Sequence, residues 1–191
     1  AFDLSVRSNN VVARGTPSTG PAVPMGGIIL WNVHGSVGVV DNQVTVQGAG
    51  SGIEVRNAIV RGKQVDLPPS LLAIAGAWAG LEGLAQSAPT TRVDLSSNRV
   101  EIFWPAEASG SAVQVLGVRS AVVANNTVLP ANAISGTPGL SVGWVGDAAT
   151  NGNVATSISV FLVGRGTLTG NRCGALSVMF SGMLQGLNAV G

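Results

Sequence analysis

Along this chain, short runs of alternating apolar and polar residues break at a polar pair and then resume. The figure reads apolar, x, apolar, x, x, Asn, x, apolar, x, small or apolar. It fits Leu4, Val6, Asn9, Val11 and Ala13, then Val37, Val39, Asn42, Val44 and Val46, then Val93, Leu95, Asn98, Val100 and Ile102. It returns as Ala121, Val123, Asn126, Val128 and Pro130, and more loosely as Gly166, Leu168, Asn171, Cys173 and Ala175. A further copy, Ala58, Val60, Lys63, Val65 and Leu67, has Lys where Asn is expected. Counting that copy, successive anchors are 33, 21, 35, 28 and 45 residues apart.

Period-two alternation makes a strand with one face inward, and the two-residue break turns the chain before the next strand. Asn suits the break because it tolerates the left-handed backbone region and bonds neighbouring backbone. At equivalent turns of stacked coils, Asn amides also bond one another along the axis, which predicts a ladder of Asn9, Asn42, Asn98, Asn126 and Asn171. No coil buries its apolar face alone, whereas a stack buries a continuous core, the logic of a solenoid.

A second strand precedes the figure. Counting back from each Asn, Ile29 and Trp31 match Val113 and Val115, and these match Ile158 and Val160, which gives about three short strands per coil and places Trp31 in the core. The closing "GALSVMFSGMLQGLNAVG" reads as one more coil with a slipped Asn188. Taking the 21-residue step from Asn42 to Lys63 as the unit, the excess length falls near 14–27, 66–89 and 129–155. The middle insertion, opening at Asp66 and two prolines and continuing Ala/Leu-rich with Glu82 as its only charge, predicts an inserted helix that is apolar almost all round.

On these residues the repeat resembles the right-handed parallel β-helix, or pectate-lyase-like, superfamily. The resemblance covers most of the chain, and its motif is structural. It implies an all-β, right-handed parallel β-helix (a β-solenoid) of six to seven coils, one domain over 1–191, with one inserted apolar helix. That superfamily holds lyases, glycoside hydrolases, tailspikes and adhesins, so the fold leaves the function open.

Composition narrows the choice. Of 191 residues only 10% are charged, the formal net charge is +1, and the ten basic residues are scattered, so there is no basic stripe for nucleic acid. No apolar run of about 18 residues escapes Gly, Pro or polar interruption, which argues against a membrane-spanning helix. One cysteine excludes an internal disulfide framework. The opening Ala1-Phe2-Asp3-Leu4 enters directly into alternation, which fits a mature or excised segment better than a natural initiation.

Candidate chemistry is sparse. His34 is the only histidine and has no orienting carboxylate nearby in sequence, so it reads as a turn residue rather than a general base. Cys173 falls in the inward column with Val11, Val44, Val65, Val100 and Val128, which reads as a small core hydrophobe. The resemblance implies that a polysaccharide-cleaving member would cluster carboxylates on adjacent coils. Here Asp94 stands alone in its column, and only Asp66 and Glu101 fall in equivalent places, with Asp66 read as a helix cap. Arg99 and Arg172 share a column on either side of Thr127, a frame for an acidic glycan, and Trp104 at a coil edge and Trp144 in a loop are the aromatic candidates for sugar stacking.

The expectation is therefore a non-enzymatic structural or adhesive solenoid, extracellular or at the cell surface, that assembles with itself end to end into an oligomer or filament. The alternative is a carbohydrate-binding or polysaccharide-cleaving β-helix. The assembly surface is expected at Phe2, Leu4 and Val6 against Leu184, Leu187 and Val190, or laterally through Leu71 and Trp78. Partners are expected to be the chain itself and a surface glycan, with no cofactor, metal, nucleic acid or membrane span.

Overall fold

In a computed structural model, residues 3–14, 26–31, 33–48, 50–57, 91–103, 111–130, 139–179 and 183–190 are described. They are all-β, with thirteen strands and no helix among the described residues. Every strand pairing is parallel, and the strands return to three columns. The first column stacks β1 (Asp3–Arg7), β4 (Ser36–Val40), β7 (Arg92–Ser96), the later halves of β9 (Val113–Ala124) and β11 (Leu140–Asn151), the middle of β12 (Val154–Met179), and β13 (Met183–Val190). The second stacks β2 (Asn10–Arg14), β5 (Gln43–Gln47), β8 (Arg99–Phe103), β10 (Thr127–Pro130) and the start of β12. The third stacks β3 (Ile28–Trp31), β6 (Ile53–Arg56) and the early halves of β9 and β11, followed by residues 158–161 of β12. The sheet does not close, and its two ends are β1 and β2. This wrapping is consistent with a β-solenoid.

The core follows from the alternation. Val37 lies on Val93 and Val93 on Ala121, while Val39, Leu95 and Val123 form the next inward row. Val44 lies on Val100 and Val100 beside Val128, and all of these side chains are buried. The third column contributes Ile53, Val113, Leu140 and Ile158, with Val55, Val115, Val142 and Val160 one step along. Burying each such side chain is worth about 1.5–3 kcal/mol relative to leaving it exposed. The turn between the first two columns is the same each time. Ser8, Asp41, Ser97 and Asn125 have φ of 53–59°, and Gly152 and Gly170 have φ of 63°. The left-handed residue is therefore the one before each ladder Asn, not the Asn itself. That leaves the Asn side chain free to point into the stack.

Several expectations change. The circuit is as short as 18 residues, from Asn153 to Asn171, rather than 21. The step from Asn42 to Asn98 is direct: β4 pairs β7 and β5 pairs β8, so no Lys63 copy intervenes. Lys63 itself lies outside the described residues. The insertion expected near 129–155 contains β11 and a complete turn at Asn153, which narrows it to 131–138, outside the described residues. The insertion near 14–27 narrows likewise to 15–25, and the helix expected at 66–89 lies outside the described residues. In β3 the phase slips by one: Ile28 and Leu30, not Ile29 and Trp31, align with Ile53 and Val55 and then with Val113 and Val115. A one-residue slip exchanges the faces of a strand, so Trp31 stands outward, 52% exposed, rather than in the core.

Candidate functional site

Six asparagines form one continuous ladder. The backbone N–H and Nδ2 of Asn9 both donate to Oδ1 of Asn42, at 3.0 and 2.9 Å. Asn42 donates in the same way to Asn98 (3.0 and 2.9 Å) and Asn98 to Asn126 (3.0 and 2.9 Å). Asn126 donates to Asn153 and Asn153 to Asn171, with all four distances 3.0 Å. The second Nδ2 hydrogen reaches back to a carbonyl of the preceding coil: Asn98 to Val39, Asn126 to Leu95, Asn153 to Val123 and Asn171 to Thr150, at 2.7–2.8 Å. From Asn42 to Asn171 these amides are buried, and those of Asn98, Asn126 and Asn153 make their full set of bonds. A buried amide so engaged has no group left for catalysis, so the ladder is a spine. It has a direction, because every oxygen accepts from the coil before it. Asn9, on the outermost coil, is exposed. Asn153 is not read from the sequence because its figure, Ala148, Thr150, Asn153 and Ala155, has no large apolar residue, whereas every other copy has at least one Val or Leu.

The basic pair is not a clamp. Arg99 and Arg172 do share an outward column, but Thr127 and Val154 both lie between them, a separation of three strand spacings, about 14 Å. Arg99 is held by Glu101 on its own strand, with Nη2–Oε1 at 2.6 Å and Nε–Oε1 at 3.0 Å. Glu101 is flanked by Thr45 and Leu129 on the adjacent strands, so neither supplies it with a second carboxylate, and Asp66 lies outside the described residues. Asp94 is flanked by Gly38 and Val122. Among the described residues no three His, Cys, Asp or Glu side chains gather as they would around a metal ion. His34 is exposed in the turn before β4. Cys173 packs half-buried against the core, and burial pushes its thiol pKa up, away from a reactive thiolate.

Trp144 is not in a loop. It is a half-buried residue of β11 at φ 56°, a left-handed corner that a bulky side chain rarely occupies. On β1, Leu4 is 38% exposed and Val6 half-buried. Leu184, Leu187 and Val190 are on β13, whose backbone pairs with residues 166, 168 and 172 of β12 through two register shifts. Phe2, Leu71, Trp78 and Trp104 lie outside the described residues.

Two outward surfaces carry polar groups together. A shallow groove of about 480 Å3 runs over Ser120, Val122, Asp147, Ala149, Arg165 and Thr167, with Arg165 Nε donating to Asp147 Oδ1 at 2.6 Å. On the third column, Trp31 Nε1–H donates to Glu54 Oε1 at 3.0 Å. Glu54 is buried, and Arg56 Nη1 is 4.0 Å from the same oxygen with its side chain 56% exposed. The run "IILW" is apolar throughout and gives no phase of its own. The signal that would have oriented it is the aligned "IEVR", where Glu54 and Arg56 alternate with Ile53 and Val55.

The chain matches no protein-family model, no curated protein and no solved structure. Among the described residues no helix is long and apolar enough to cross a membrane.

Proposed function

We propose that this chain is a structural or adhesive, right-handed β-solenoid of six to seven coils with an inserted apolar helix, acting outside the cell and assembling end to end with its own copies rather than catalysing a reaction. The observation that carries this reading is the edge formed by β1 and β2. Both strands are paired on one side only among the described residues, and Leu4 stands 38% exposed above Val37 in the inward row. Such an edge offers backbone donors and acceptors, an apolar row and the outermost ladder amide to another coil, which a second copy of the chain supplies. The scarcity of charge, 10% of residues, fits a surface that is covered. Carboxylates that stand apart on their columns give a cleavage mechanism little to use.

Negative-stain microscopy with light scattering on the same sample tests this. Fibres, or a particle mass several times 19.1 kDa, are expected, together with their loss in Leu4→Lys, which places a charge in the joint. A monodisperse monomer at high concentration overturns the reading.

A further inference from the structure

We infer that the outward face of β3 and β6, around Trp31, Glu54 and Arg56, is a binding site for an uncharged saccharide. The inference does not rest on end-to-end assembly: β3, like β1 and β2, is paired on one side only among the described residues, but Trp31, Glu54 and Arg56 face outward from the third column rather than along the stack.

Trp31 is 52% exposed, yet its indole is fixed. Its N–H donates to Glu54 Oε1 at 3.0 Å, and Glu54 is itself only 6% exposed. A half-exposed tryptophan held by a buried acceptor on the neighbouring strand is a preorganised flat apolar platform, the surface against which the C–H face of a pyranose ring packs. The groups beside it suit hydroxyls. Arg56 is paired directly with Trp31 in register, its side chain is 56% exposed, and among the described residues its one ion-pair partner, Glu54, is at a long 4.0 Å. Its guanidinium donors therefore remain available to a ligand. Gln114 follows Glu54 in the same column and is half-buried, and its amide both donates and accepts. Leu116 continues the column beyond Arg56, and Phe161, two spacings further, lays its ring over Gly143, where a side chain would collide with it.

Charge decides the ligand class. Glu54 and Arg56 compensate one another, so the platform carries no net charge. An acidic sugar would gain Arg56 but lie close to the Glu54 carboxylate, whereas a neutral sugar takes its hydrogen bonds from Arg56 and Gln114 with no such conflict. Glu54 is a positioning residue here: it holds the indole rather than touching the sugar.

The test is calorimetric titration of the full chain with cellohexaose and maltohexaose, with a hyaluronan hexasaccharide as the carboxylated comparator. At least one uncharged oligomer is expected to bind with little salt dependence. Arg56→Gln, an exposed change that leaves the fold intact, is expected to weaken it about tenfold. Trp31→Ala is expected to abolish binding, while Trp31→Phe keeps much of it. Glu54→Gln retains an acceptor for the indole and is expected to retain affinity, whereas Glu54→Ala frees the ring and weakens binding. Circular dichroism of each variant checks the fold. Absence of binding to either neutral oligomer at millimolar ligand overturns the inference. So does affinity indifferent to Trp31→Ala and Arg56→Gln, or binding confined to the carboxylated comparator and lost in salt.

Discussion

The side-chain oxygen of Asn126 accepts two hydrogen bonds from Asn98, one from its backbone N–H at 3.0 Å and one from its Nδ2 at 2.9 Å. The oxygens from Asn42 to Asn171 each satisfy two donors of the coil before, and Asn126 spends its own Nδ2 donors on the Leu95 carbonyl and on Asn153. Asn126→Ala therefore strands several buried groups at once. A loss of about 3 kcal/mol or more is expected, against under about 1 kcal/mol for Asn9→Ala at the exposed end. Denaturant unfolding of the two variants side by side checks this, and equal costs would mean that the ladder is not a cooperative spine.

Thr150 presents the opposite case. It stands in the inward row between Val123 and Leu168, fully buried, and its Oγ1 has no hydrogen-bond partner among the described residues. Thr150→Val keeps the shape and removes the orphaned hydroxyl. A gain of about 1 kcal/mol is expected, read as a raised denaturation midpoint with an unchanged slope.

Much of the fold is legible in the sequence because geometry and hydrophobicity agree there. Asn42 and Asn98 each sit between strict alternations, and Val44 does lie on Val100. Legibility fails where one residue type serves two purposes. Ala148, Thr150 and Ala155 line a coil whose inward row narrows to Ala148 and Gly166, so the alternation that marks the other coils is muted and Asn153 passes for loop. The Lys63 copy has the alternation without the amide, and the direct bonds and strand pairings from the Asn42 coil to the Asn98 coil leave no place for it between them. The Trp31 surface was illegible because its strand is apolar on both faces, and its phase is fixed only by Glu54 and Arg56 on the neighbouring strand.

The left-handed turn gives a sharper contrast. Ser97 and Gly152 occupy equivalent places, at φ 57° and 63°. Ser97→Gly is expected to be neutral or slightly stabilising, since it relieves a non-glycine residue of that conformation. Gly152→Val is expected to cost about 1–2 kcal/mol from the backbone conformation, while the Oδ1 of exposed Asn125, which a Cβ there meets, can turn aside. Thermal unfolding of both variants separates the two, and a tolerated Gly152→Val would show that the turn is not the fixed element it is taken to be.

Cys173 supplies the pH dependence. Burial raises its thiol pKa above the ordinary value of 9.0, so the folded chain holds this proton at a pH where the unfolded chain has begun to lose it. The sign follows from linkage: the contribution is fully present below the unfolded value and is lost as pH rises through the folded one. Stability is therefore expected to decline above about pH 9, and Cys173→Val, which fits the inward column of Val44, Val100 and Val128, should flatten that limb. In the native state the thiol should react with a disulfide reagent at neutral pH more slowly than the same thiol in the unfolded chain, because less of it is thiolate. Equal rates in the two states, or an alkaline limb unchanged in Cys173→Val, would show that the side chain is freely solvated and not part of the core wall.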